Sequence, residues 1–496
     1  MKRYLFMLLF LLIPLALSAD VDTKDGTAIN QSSNIDGFTS DIGKADGQII
    51  EAAGGVANPT DQFSGNPVFS VGTTATELDD EGNITVASNI ATFTIAFPTN
   101  VGVGDVVQYD VDNADGIEDG EYGIIHGIST DRTMAYLLHT DGTSVTNTTA
   151  TTSVYDIFRA YTSLANWESQ TENTNIAAVL HDSTNSGTDY ELNDLDLTAD
   201  AGAGAESGPC YVACYADGVD GAVFIDGYTV DADDWIEIFT PVSTAMVGTT
   251  QRHSGVWDTS KYYIAVTDDT GIKIDDDYVR LDGLQVQSTV SGVALGYGIY
   301  VLTNIAASNE FHVSNTIIKG VSSGSGGNVG LYFRDYDSVS KVWNTVVYGF
   351  ISTGDDIADT GFRGTYTKGT AIDFWNVTVN DCYSGLFEDG SGTYNVLNTL
   401  VFECTDDLYG TWASVTYSAG DDADFGSGTG NFQITQTADD YAALVTDADG
   451  GDYSVTDGNS ELDDTGTDDP GGATQDDTDI ADTARVSVWD IGAFEL

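Results

Sequence analysis

The chain has 496 residues, with 78 Asp or Glu against 16 Lys or Arg and a formal net charge of −62. That balance excludes nucleic acid as a partner, because a phosphate backbone is held by clustered cations. It leaves two readings of the acidity, a solvated surface suited to high salt and a set of carboxylates that binds divalent cations, while 41% hydrophobic and 10% aromatic residues supply enough apolar surface to fold.

Residues 1–19 read as a secretory signal peptide: Lys2-Arg3, an apolar run from Leu5 to Leu17, then the small residues Ser18-Ala19. The expected location is therefore secreted or extracellular. No later stretch approaches the roughly 20 apolar residues of a spanning helix, so no membrane span is expected. Residues 20–81, rich in Gly, Ser, Asn and Asp with weak periodicity, read as an irregular acidic leader or cap. Over 82–160 strand patterns take over. Ala91, Phe93, Ile95 and Phe97 alternate with more polar neighbours and Val101–Tyr109 follows a Pro-Thr-Asn turn, which predicts a small antiparallel β module. At 160–168, Thr162 or Ser163 as N-cap and Leu164 and Trp167 on one face predict a short helix, placed to cap a solenoid spanning 161–496.

That solenoid is inferred from a repeat. Phe311-His-Val-Ser-Asn315, Val342-Trp-Asn344, Ile372-Asp-Phe-Trp-Asn376 and Tyr394-Asn-Val-Leu-Asn398 each place an apolar residue two before an Asn and resume an apolar strand after it. The Asn positions lie 29, 32 and 22 residues apart, and Gly283 fits the frame 32 residues before Asn315. Asn and Gly share tolerance of left-handed backbone geometry at a tight bend. Short strands and such bends at this period predict an all-β fold, a right-handed parallel β-helix preceded by the antiparallel module, with Gly283, Asn315, Asn344, Asn376 and Asn398 stacked as a ladder whose Asn side chains bond each other and the backbone.

The segments Asn376–Cys382 and Asn398–Cys404 superpose without a gap, so Cys382 and Cys404 should stack on adjacent coils as a disulfide or as a pair of buried thiols. Cys210 and Cys214 are the other disulfide candidates. None of the four has the Cys-x-x-Cys spacing of a zinc site.

With these repeats, and with the ending Ala484-Arg-Val-Ser-Val-Trp489-Asp-Ile-Gly-Ala-Phe-Glu495, the chain resembles the exported right-handed β-helix proteins of the pectate-lyase-like superfamily over roughly 170–496. The ending looks like the closing coil of many such proteins, and the stop at Leu496 is read as favouring a released protein or one held by its partners. The resemblance implies two enzyme readings. A lyase needs carboxylate-held Ca²⁺ and a basic Arg or Lys, for which Asp275, Asp276 and Asp277 beside Arg280, and Asp355 and Asp356 with Arg363 nearby, are the candidates. A hydrolase needs two carboxylates around a water, and Gly420-Asp421-Asp422 matches one step of that pattern, without its companion elements.

Cations are scarce and concentrate between Arg252 and Lys368. Arg252, Lys261, Lys273, Arg280, Arg334 and Arg363 are candidates to line one face and grip an anionic polysaccharide alongside Trp257, Trp343 or Trp375; the alternative is charge pairing with neighbouring Asp, with Trp343 and Trp375 in the core. The favoured reading is an extracellular, non-catalytic binding or structural protein, such as an adhesin, surface component or filament subunit. Its expected partner is a polysaccharide or cell-surface glycan, or copies of itself. The alternative is a polysaccharide lyase or glycoside hydrolase acting on an acidic polysaccharide, with calcium as the one cofactor to consider.

Overall fold

The computed structural model describes residues 57–112, 121–150, 153–176, 208–228, 230–302, 310–323, 326–334, 339–351, 360–365, 371–389, 392–426, 428–434, 441–456, 461–467, 478–485 and 489–495. Residues 1–19, read as a signal peptide, and residues 20–56 of the stretch read as a leader lie outside them. Pro59–Leu496 forms one compact unit.

Alternating burial along short strands builds a right-handed parallel β-helix with three ladders. The first stacks Val68–Val71, Cys210–Cys214, Ile236–Phe239, Val279–Asp282, Glu310–Ser314, the leading halves of Val339–Tyr348 and Ala371–Asn380, Thr393–Leu397 and Ser414–Thr416. The second stacks Val219–Asp220, Tyr263–Thr267, Gln285–Val290, Ile317–Ser322, the trailing halves of the two long strands, Leu400–Phe402, Ala419–Gly420 and Phe432–Gln433. The third is a seven-stranded sheet of Val223–Ile225, Thr270–Ile274, Gly296–Val301, Asn328–Phe333, Thr360–Thr365, Ser384–Asp389 and Asp406–Tyr409.

Each ladder sends a column of apolar side chains inward. Ile238, Leu281, Val313, Val342, Phe374 and Val396 form the first, Ile264, Val286, Ile318, Val347, Val379 and Val401 the second, and Ile272, Ile299, Leu331, Leu386 and Leu408 the third, all in one continuous core. β-Branched and aliphatic residues suit these positions because a parallel ladder buries identical faces one above another.

The corner between the first and second ladders carries the repeat. Gly283, Asn315, Asn344, Asn376 and Asn398 all have φ between +46° and +75°. Tyr417 continues the series at φ +49°, a position that the Asn and Gly frame did not reveal. The expected bonding is found in part. Asn344 Nδ2 donates to Asn315 Oδ1 at 3.2 Å, but Asn315 Nδ2 donates to Asp282 and Asn398 pairs with the backbone of Thr467. Bend geometry selects the Asn, and the chain's C-terminal part then takes over much of the bonding.

That C-terminal part is the second departure from expectation. The Asp-Ile-Gly-Ala-Phe-Glu ending adds no strand to a ladder among the described residues. It lies across the outside of the solenoid as a strap, with Ile480, Ile491, Ala493 and Phe494 packed on the outward residues Ile317, Val346 and Leu400 in a separate core. Gly492 N donates to Asn398 O and Ala493 N to Thr378 Oγ1, while a buried Arg485–Glu495 pair at 3.2 Å ties the strap to itself.

The antiparallel module consists of Ile84–Ala87, Ile90–Phe93, Val106–Tyr109, Glu121–Ile128, Met134–Leu138 and Tyr155–Phe158. Ala91, Phe93 and Phe97 are buried as the alternation implies, whereas Ile95 is exposed, because the strand ends at Phe93. Val68–Val71 pairs with Cys210–Cys214, so the module is inserted between the first two rungs of one ladder. The solenoid thus begins within the stretch that reads as leader. Gly104 is the close approach that permits this docking. Its φ is +84°, and a Cβ there would stand 2.4 Å from the backbone nitrogen of Ser70.

Helix α1 (Leu164–Glu168) follows. Ser163 Oγ caps Asn166 N, Leu164 and Trp167 are buried, and Asp220 accepts from Leu164 N. Trp167 stacks on Tyr228 at 5.6 Å and the helix packs on Val223–Ile225, the first rung of the third ladder. No helix among the described residues is long and apolar enough to cross a membrane.

Candidate functional site

The cations proposed to line one face occupy three separate places. Arg252 is 7% exposed, bonded to Asp282 and Thr240 and 3.6 Å from Asp482. It fills the space beside Gly283 where the higher rungs carry an Asn side chain, so it is a structural residue. Trp257 packs against the strap core, with Lys319 Nζ 5.3 Å from its ring. Arg280 projects from the first ladder and lies 3.9 Å above Trp235. Trp343 and Trp375 are neighbours on that same outer face, and Trp375 is buried.

Lys273 and Arg363 hold register positions on the third ladder and Arg334 directly follows its rung Asn328–Phe333, and the rings that stand between these cations are the feature that sequence reasoning missed. The register aligns Phe224, Lys273, Tyr300, Tyr332, Arg363, Phe387 and Tyr409, one per rung. At ~4.8 Å per rung the row is about 29 Å long. It contains no carboxylate, in a chain with 78 of them. Tyr300 and Tyr332 stack at 4.8 Å, with Tyr297 beside both, and Phe387 stacks on Tyr409 at 4.6 Å. Lys273 Nζ lies 3.9 Å from the Phe224 ring, and exposed Arg334 donates to the Tyr300 hydroxyl at 3.1 Å. Phe224 is 38% and Tyr409 48% exposed, Lys273, Tyr297 and Tyr300 are half-buried, and Tyr332 and Phe387 are buried between their neighbours.

The sequence does carry this row. Gly271-Ile-Lys273, Gly298-Ile-Tyr300, Gly330-Leu-Tyr332, Gly361-Phe-Arg363 and Gly385-Leu-Phe387 repeat a Gly, an apolar residue and a ring or cation. Two of these glycines stand where the third ladder passes close to the second: a Cβ on Gly271 would stand 2.6 Å from Val286, and one on Gly298 2.6 Å from Ile318.

Of the carboxylates proposed for Ca²⁺, Asp355 and Asp356 lie outside the described residues, and the other three do not form a cluster on Arg280. Asp276 is buried and accepts from Gly227 N at 3.0 Å and Tyr228 N at 3.3 Å, closing the turn after Val223–Ile225. Burial pushes its carboxyl up to about 6, and it raises Asp275 as well. Asp277 follows at the turn into Val279–Asp282. Among the described residues, the one set of three carboxylates with oxygens within 4.8 Å of one another is Asp463, Asp464 and Asp490, in the strap.

Asp421 and Asp422, read as a fragment of a hydrolase pattern, close the last coils around Asp407. Asp407 accepts from Asp422 N at 2.9 Å and Asp422 from Asp407 N at 3.3 Å, and Asp421 accepts from Glu403 N and the Tyr441 hydroxyl. Asp407 is 0% exposed, beyond the reach of a polysaccharide. Burial and the adjacent Asp421 charge push its carboxyl well above the usual carboxylate range. A folded-state value above the unfolded one, about 4, gives stability that is complete below about pH 4 and is lost as pH rises through the folded value. Thermal unfolding of Asp407→Asn should therefore lose less stability between pH 5 and pH 9 than the natural chain does, and parallel curves for the two would show that folding does not raise the Asp407 carboxyl.

All four cysteines are free thiols. Cys210 and Cys214 cannot bridge each other, because four residues of one extended strand separate them by about 13 Å, against a disulfide Cα limit near 7 Å.

No protein-family model, curated protein or solved structure matches this chain.

Proposed function

We propose that this is an extracellular, non-catalytic binding protein that holds an acidic polysaccharide along the third ladder. The observation that carries the reading is the carboxylate-free row of rings and cations from Phe224 to Tyr409. Lys273 and Arg334 offer charge to carboxylate or sulfate groups, and the Tyr edges and hydroxyls offer apolar and hydrogen-bonding contact to sugar rings. At physiological ionic strength the acidic remainder of the surface is screened beyond about 8 Å, so the row's own charges dominate for a bound chain.

The test is affinity for polygalacturonate, with neutral xylan as control. A Lys273→Gln/Arg334→Gln double variant is expected to bind polygalacturonate about tenfold more weakly, the combined worth of two surface charge contacts of about 0.7 kcal/mol each, with a shallower salt dependence. Unchanged affinity would remove the row from the binding site. Polygalacturonate cleavage, followed by ultraviolet absorbance of unsaturated uronate with and without Ca²⁺, is expected to be absent; Ca²⁺-dependent release would replace this reading with a lyase.

A further inference from the structure

We propose that Cys382 and Cys404 form a modification site: a thiol pair that closes into a disulfide across two adjacent coils when it meets an oxidised thiol–disulfide couple. Asn380 pairs with Phe402, so Cys382 stands above Cys404 at the corner that leads from the second ladder into the third. Thr405 N donates to Cys382 O at 3.1 Å, which fixes the two coils to each other at that corner. The coil spacing of ~4.8 Å lies inside the Cα range of disulfides. Both side chains adopt the same arrangement, with Cys382 Sγ donating to Asn380 O at 3.2 Å and Cys404 Sγ to Phe402 O at 3.6 Å. The Cys404 thiol is also in contact with Cys382. Closing the bond therefore asks for side-chain rotation within a fixed register.

The two thiols have distinct roles. Cys382 is buried and Cys404 half-buried, so Cys404 meets the oxidant first. As a thiolate it attacks one sulfur of the oxidised couple, expels a thiolate and forms a mixed disulfide. Deprotonated Cys382 then attacks Cys404 Sγ and releases the second thiolate. Two protons and two electrons leave the cysteines, and the couple is reduced to two thiols. Burial, Cys382 and Asp407 push the Cys404 thiol up, so the reaction quickens as pH rises.

Cys210 and Cys214 stay reduced on this account, since their rung neighbours Ile236 and Val71 are not cysteines. The bond precedes Ser384–Asp389 and Asp406–Tyr409, so it ties together the two rungs on which Phe387 and Tyr409 stack. It does not depend on the polysaccharide reading, and either can fail alone.

The test equilibrates the reduced full chain with oxidised glutathione at mildly alkaline pH, alkylates it in denaturant with N-ethylmaleimide, and measures intact mass and peptide linkage. Two of the four thiols are expected to be lost, within one cross-linked species joining Cys382 to Cys404, and dithiothreitol is expected to restore all four. Four alkylated cysteines at equilibrium, a linkage between any other pair, or a stable glutathione adduct on Cys404 would each overturn the proposal, the last because Cys382 would then be unable to reach it.

Discussion

Replacing Arg159 by Met is expected to destabilise the protein by about 3–5 kcal/mol, the usual cost of stripping one partner from a buried ion network. Arg159 is fully buried. Its Nη1 donates to both oxygens of Asp105 at 2.7 and 2.8 Å, its Nε and Nη2 reach Asp217 at 2.7 and 3.0 Å, and its guanidinium lies 3.7 Å from the centre of the Tyr215 ring. Asp105 belongs to the inserted module and Asp217 to the coil beneath it, so this one side chain fastens the insertion to the solenoid. Burial pushes Asp105 up to about 6 even against the pull of Arg159. Without that cation the carboxyl would take up a proton near neutral pH. The midpoint of denaturant unfolding reads the effect. Adding Asp105→Asn and Asp217→Asn to the Met variant should recover part of the loss, whereas a Met variant as stable as the natural chain would refute the network's role.

The second large effect is expected at Asn344. Asn344→Leu should cost about 2–4 kcal/mol: about 1–2 for placing a bulky aliphatic residue at φ +46° and about 1–2 for the buried groups it orphans. Those groups are Asn315 Oδ1 and Thr478 O, the latter from the strap, whose Arg485 Nη2 also loses one of its three acceptors. Asn376 offers the comparison, because it has the same backbone at φ +51° while its Oδ1 finds no partner among the described residues. Asn376→Gly should therefore be close to neutral and Asn344→Gly should still destabilise. Equal losses in the two Gly variants, measured by thermal or denaturant unfolding, would show that the strap gains nothing from the ladder.

The bends were legible in the sequence because a single backbone requirement, positive φ, favours Asn or Gly there, so five corners announced themselves at irregular spacing. α1 was legible for a similar local reason, the Ser163 cap and the Leu164–Trp167 face. Pairing that depends on distant chain was not. Val68–Val71 finds its partner across the whole inserted module, and nothing local in those four residues tells a first rung from a leader strand. The strap was read as a closing coil because its buried apolar residues look the same whether they face a core inside the solenoid or one outside it. Among the candidate site residues, Lys273 and Arg363 fell on the third ladder and Arg334 at the end of one of its rungs, whereas Arg252 was misplaced because a sequence does not say which cation is buried. The row itself was present as triplets of Gly, an apolar residue and a ring or cation, but they recur at 27, 32, 31 and 24 residues, and a two-position signature at uneven spacing is weak beside the Asn repeat.

Hydroxyl-radical footprinting of the chain with and without bound oligogalacturonate tests the central claim most directly, since it reports side-chain cover residue by residue. Protection of Phe224, Tyr297, Tyr300 and Tyr409 on the third ladder is expected, with Trp235 and Trp343 on the first ladder oxidised as before. Protection of the first-ladder tryptophans with Tyr300 unaffected would place the ligand on another face and contradict the claim.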